Sequence, residues 1–132
     1  MATSLKTNYP HLLDYWHQQS FVLIPIPLHP SRSRWRGYNQ SELLASALSE
    51  IIKIPYNKDI LFRNRQTQPQ SLIKNKTLRR QNTLNSFYLA PSLIPPAKII
   101  LVDDVVTTGS TLTSALSVFP KNTESWVLTL AG

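Results

Sequence analysis

The sequence predicts an α/β fold, a mainly parallel sheet flanked by helices. Three short runs are almost continuously apolar: FVLIPIP at 21–27, IILV at 99–102 and WVLTLA at 126–131. Strands have this character when both faces of a sheet are covered. Segments between the runs repeat apolar residues at helical spacing. The order strand, loop, helix, strand is that of parallel βαβ units with right-handed crossovers.

Residues 1–20 form an N-terminal extension, with HLLDYWHQQ at 11–19 reading as a helix. FVLIPIP follows as a short buried strand interrupted by Pro25 and Pro27. After the loop LHPSRSRWRGYN, a helix starts near Asn39, a good N-cap, with Glu42 at the third helical position in capping-box spacing. Leu43, Leu44, Ala47, Leu48, Ile51 and Ile52 are its expected core face, and Pro55 ends it. Signals weaken over 56–97, where ILF reads as a short strand, NKTLRRQNTL as a brief helix and PSLIPPAK as a connector. Ile99–Val102 is the clearest strand of the chain. Ser110–Phe119 reads as a helix with Leu112, Ala115, Leu116 and Phe119 on one face, and WVLTLA as a final buried strand.

One domain is expected for 132 residues with 42% apolar composition. The chain has no apolar run long enough for a membrane-spanning helix, and MATSLKTNYP lacks the apolar core of a secretion signal. A cytoplasmic protein without membrane insertion is therefore expected. With no cysteine there is neither a disulfide framework nor a thiolate metal site. Fourteen Lys and Arg against seven Asp and Glu give a net charge of +7, which favours an anionic partner. The charge is uneven: no acid stands between Asp59 and Asp103, whereas Arg63, Arg65, Lys74, Lys76, Arg79 and Arg80 do. Solvated surface is the competing explanation for that run.

Against this background VDDVVTTGST, 102–111, is unusual. Its later residues precede or open a helix, where unpaired N–H groups and the helix dipole favour an anion. Gly109 lets the backbone pass close to such a group, with a positive φ allowed. Thr107, Thr108, Ser110 and Thr111 add hydroxyls, so the segment suits a phosphate monoester. Asp103 and Asp104 repel phosphate and must address another part of the ligand: sugar hydroxyls, or a divalent cation. The plainer alternative is that Asp104 satisfies loop amides while Ser110 or Thr111 caps a helix. A Walker A loop is excluded, because the only glycines are Gly37, Gly109 and Gly132.

IILVDDVVTTGST resembles the signature with which type I phosphoribosyltransferases bind 5-phosphoribosyl 1-pyrophosphate (PRPP). The similarity extends to the ComF/GntX-like branch, whose first block IPIPLHPSRSRWRGYNQSELLA resembles, and whose second RNRQTQPQSL with RRQN and SF resembles. The resemblance covers roughly residues 22–130 and implies a type I phosphoribosyltransferase-like fold with a small hood or flexible loop. It implies that Asp103 and Asp104 hold the ribose hydroxyls and that Thr107, Thr108, Gly109, Ser110 and Thr111 hold the 5′-phosphate. His29 and Arg32 in the first loop, with Arg79 and Arg80 in a basic segment at 63–82, are then the pyrophosphate-binding candidates. His29 also reads as a plain loop histidine, and Trp35 and Tyr38 as packing residues. Mg²⁺ is the implied cofactor, reached by Asp103 and Asp104 through ribose hydroxyls or water.

The implied chemistry is displacement of pyrophosphate by an unspecified nitrogen acceptor. A non-catalytic PRPP- or nucleotide-binding role in natural competence stands beside it. Candidate partners are PRPP or a related phosphoribosyl ligand, single-stranded DNA, competence proteins and a second copy of the chain as a homodimer. Many ComF-like proteins carry an N-terminal cysteine-rich zinc module, and the cysteine-free sequence is expected to lack it.

Overall fold

Among the described residues, three parallel strands form the main sheet. The computed structural model describes residues 9–28, 38–64, 87–105 and 109–131. Along the chain these form α1 (Pro10–Gln18), β1 (Val22–Pro25), α2 (Gln40–Ile52), β2 (Leu61–Arg63), β3 (Phe87–Leu89), β4 (Lys98–Val105), α3 (Ser110–Ser117) and β5 (Glu124–Ala131). β2 and β3 pair antiparallel as a separate two-stranded unit. The expected α/β class and parallel sheet are thus present.

Side-chain alternation explains why the strands read as continuous apolar runs. Phe21 and Leu23 from the β1 run, with Ile100 and Val102 of β4, enter one core with Leu13 and Trp16 of α1 and Ala45, Leu48 and Ile52 of α2. Ile24 and Ile26, with Ile99 and Leu101, enter a second core with Ile60, Leu61, Phe87, Ala115 and Phe119. Successive residues of a strand point to opposite faces, so a sheet covered on both sides needs apolar residues at every position. β4 lies between β1 and β5, and Ile99 to Val102 are fully buried.

The prolines of β1 fit its position at one side of the sheet. Ile26 N–H donates inward to the Val102 carbonyl (2.9 Å), whereas Leu23 N–H donates outward to the Pro55 carbonyl (2.8 Å). Pro25 and Pro27 share the parity of Leu23, so the N–H groups they lack are those that would face outward. A short bridge between Leu23 and Tyr56 covers this edge, and the prolines limit further pairing beyond it.

Three expectations are corrected. The buried face of α2 consists of Ser41, Ala45, Leu48 and Ile52, with Leu44 packed beside it. Leu43 and Ile51, 58% and 44% exposed, and Ala47 form a second stripe facing solvent. Apolar periodicity alone merged the two stripes, because it overlooked that small side chains at 41 and 45 occupy the contact with the sheet. β5 is the second correction: Trp126, Val127 and Leu130 are exposed, since among the described residues the strand pairs with β4 alone and ends the sheet. Leu128 does pack on the first core, and Trp126 meets Trp16 edge-on at 5.7 Å. Third, β3 was not anticipated; three residues are too few for a period to register. The expected helix at 75–84 lies outside the described residues.

α2, which follows β1, covers one face of the sheet, and α3, which follows β4, covers the other. Two adjacent parallel strands whose connections leave to opposite faces define a crevice at their carboxyl ends, the usual ligand position in open α/β sheets. In this chain the crevice lies between the ends of β1 and β4.

Candidate functional site

β4 continues three residues beyond the expected Val102, so Asp103 and Asp104 lie within the strand, just before its last residue, Val105. Both are half-buried at the crevice. Asp103 Oδ1 accepts from the Ser41 hydroxyl at 3.1 Å and from the Asp104 N–H at 2.9 Å. Ser41 is 3% exposed, in the first turn of α2.

That turn is held in its own right. Asn39 caps α2, its Oδ1 accepting from Ser41 N–H at 3.0 Å, as the sequence predicted for the N-cap. Its Nδ2 donates to the Ile26 carbonyl at 3.1 Å. Since Ile26 N–H donates to the Val102 carbonyl, the bonds close a circuit through the end of β1, the first turn of α2 and the end of β4. Glu42, expected to complete a capping box, instead approaches Lys58 at 3.6 Å.

Burial is the main influence on Asp103 and raises its carboxyl above the ordinary carboxylate range. The neighbouring Asp104 side chain raises it further, while the bonds from Ser41 and the Asp104 N–H pull the other way. Adjacent acids are costly together, and the Ser41 hydroxyl and Asp104 N–H supply two donors to Asp103.

Past Val105 and residues 106–108, Gly109 caps α3 with φ at 76°, in the left-handed region anticipated for it. A Cβ there would meet nothing within 4 Å, so glycine is required by backbone conformation rather than by crowding. The N-cap is Gly109, which offers no side-chain cap; Ser110 and Thr111 lie within the first turn of α3, contrary to the reading of either as the cap. The Gly109 carbonyl is taken by both the N–H and the hydroxyl of Thr113, each at 2.9 Å.

Of the predicted site residues, the structure therefore gives Asp103 and Asp104 at the end of β4, and Gly109, Ser110 and Thr111 at the start of α3. Thr107, Thr108, His29, Arg32, Arg79 and Arg80 lie outside the described residues. Arg63, which opens the basic segment, donates from Nη1 to the Pro27 carbonyl at 3.4 Å and lies over the Phe87 ring at 4.9 Å. It ties the β2–β3 unit to the end of β1. Ser41 was not singled out from sequence. The available signal was a small hydroxyl on the buried face of a helix, where it needs a partner.

Among the described residues, no group of three or more His, Asp or Glu is positioned to hold a metal ion. The two carboxylates are hard oxygen donors, the type that suits Mg²⁺ bound mainly by phosphates and water. No helix among the described residues is long and apolar enough to cross a membrane.

The chain has relatives among competence and DNA utilization proteins. Competence protein F of Haemophilus influenzae is 45% identical over 93 residues, covering 69% of this chain and 40% of that protein. DNA utilization protein YhgH of Escherichia coli K12 is 33% identical over 100 residues, 76% of this chain and 43% of that protein. Competence protein ComFC of Bacillus subtilis 168 is 36% identical over 92 residues, 70% of this chain and 35% of that protein. The chain is a relative of the ComF-like competence proteins. It spans about two fifths of the length of the curated relatives it matches. No protein-family model matches the chain, and no solved structure matches it.

Proposed function

We propose that the crevice is a phosphoribosyl site and that this ComF-like chain transfers the phosphoribosyl group of PRPP to a nitrogen nucleophile. The observation that carries this reading is the acidic pair on β4, held by the Asn39–Ser41 circuit and leading into the glycine-capped α3. Asp103 and Asp104 accept hydrogen bonds from the ribose hydroxyls. Thr107 to Thr111 receive the 5′-phosphate at the start of α3, where N–H donors and the dipole favour an anion. His29, Arg32, Arg79 and Arg80 take the pyrophosphate, consistent with a net charge of +7.

In the reaction the bond from the anomeric carbon to pyrophosphate breaks, and its electron pair leaves with pyrophosphate. A bond to the acceptor nitrogen forms, and the nitrogen's proton passes to solvent. Asp103 and Asp104 would hold a Mg²⁺ ion indirectly, through the ribose hydroxyls or water, and the ion would supply neutralisation of the leaving group's charge. The residues of the chain contribute by positioning and by electrostatic stabilisation.

The names of the relatives, competence proteins and DNA utilization proteins, favour a second reading. In it the same pocket binds PRPP or a nucleotide without turnover, and the chain serves DNA uptake through protein or single-stranded DNA partners. Thermal-shift titrations with Mg·PRPP, pyrophosphate and ribose 5-phosphate test the site that both readings share. Stabilisation by the phosphoribosyl ligands is expected; stabilisation by none of the three contradicts both. Pyrophosphate release with one member of a panel of amines and bases then selects the transferase, and release with none selects the binding protein.

A further inference from the structure

The circuit places a residue of the first turn of α2 in control of the acid on β4. Ser41 Oγ is 3.1 Å from Asp103 Oδ1, and the Asp104 N–H reaches the same oxygen at 2.9 Å. Two donors on one oxygen fix both the rotation of the carboxylate and its position relative to the strand. Ser41 itself has little freedom: it is 3% exposed, and its N–H is held by Asn39 Oδ1, whose amide is in turn anchored on the Ile26 carbonyl. The arrangement ties the orientation of Asp103 to the end of β1, across the crevice in which the ligand would lie.

We infer that Ser41 is a positioning residue, whose hydroxyl sets the Asp103 carboxylate in the orientation that receives the ribose hydroxyls of a phosphoribosyl ligand. The inference rests on the phosphoribosyl reading of the site. It makes the sugar end of the ligand, and not its phosphate end, depend on α2. The ordinary explanation of the contact, a buried serine finding any acceptor, carries no such selectivity.

The test compares Ser41→Ala, Ser41→Cys and Ser41→Thr with the wild type by calorimetric titration against Mg·PRPP, ribose 5-phosphate and inorganic pyrophosphate. Cysteine keeps the side-chain size with only a weak donor, so it carries the test if the alanine variant fails to fold. Threonine retains the hydroxyl. We expect Ser41→Ala and Ser41→Cys to weaken PRPP and ribose 5-phosphate about tenfold, the scale of a hydrogen bond to a charged group. Pyrophosphate affinity stays unchanged, and Ser41→Thr restores most of the ribose-ligand affinity. Wild-type affinity in Ser41→Ala for all three ligands overturns the positioning role and leaves the phosphoribosyl reading intact. So does an equal loss for pyrophosphate, which marks a general structural effect. If the wild type binds none of the three, the phosphoribosyl reading falls and the positioning role falls with it.

Discussion

At the level of single residues, Asp103 and Gly109 make opposite kinds of demand. Asp103 sits where burial, and then Asp104, hold its carboxyl above the ordinary range. The folded chain therefore binds that proton more tightly than the unfolded chain. Its contribution to stability is greatest below the unfolded carboxylate pKa of about 3.9 and declines as pH rises through the raised value. Asp103→Asn keeps an acceptor for Ser41 and removes the charge. In urea titrations without ligand, the variant should gain stability relative to wild type as pH rises from the acid range to neutrality. A constant difference across that range contradicts the assignment. Gly109 is a backbone demand, with φ at 76° and open space around it. Gly109→Ala should cost about 1 kcal/mol in chemical denaturation, from the left-handed backbone alone, and Gly109→Asn should cost less. Both residues were legible in sequence, since adjacent acids and a lone glycine among hydroxyls are each unusual. Ser41 was not, because its partner is 62 residues away and only the tertiary fold brings the two together.

Among the elements, α2 separates what a pattern reveals from what packing decides. Its start at Asn39 was readable because capping is local chemistry. Its buried face was not, because Leu43 and Leu48 are equally apolar and only the neighbouring sheet distinguishes them. Leu48→Ala should destabilise the chain by about 2–5 kcal/mol, whereas Leu43→Ala should stay within about 0.5 kcal/mol. Urea midpoints of the two variants check this directly, and equal losses would contradict the observed orientation of the helix. β1 and β4 were readable for the same reason in reverse. Burial on both faces leaves no polar position, so the apolar run itself is the signal. β5 shares that composition yet lies at the sheet's end, and sequence composition does not record strand order. The β2–β3 pair escaped because its strands are only three residues long and their pairing is set by contacts distant in sequence.

Taken as a whole molecule, the chain uses a sheet with two cores to separate structural and chemical duties. The cores occupy the two faces, and the crevice is left at the carboxyl ends of β1 and β4. In the proposed reading, the excess of basic charge in the sequence offsets the repulsion between the acidic pair and a polyanionic ligand. That reading reconciles the net charge of +7 with two adjacent acids at the end of β4. Steering of anions by the overall field would aid capture of a phosphorylated ligand, and in the proposed reading the acids would then select its sugar. In the proposed site, Asp103 and Asp104 hold the sugar of a phosphoribosyl ligand. Calorimetric titration of Mg·PRPP into the wild type and into the Asp103→Asn, Asp104→Asn double variant tests it most directly. Binding by the wild type and a loss of at least about 10²-fold in the double variant are expected, the scale of one important electrostatic contact. Equal affinity in the two proteins would contradict the proposed site.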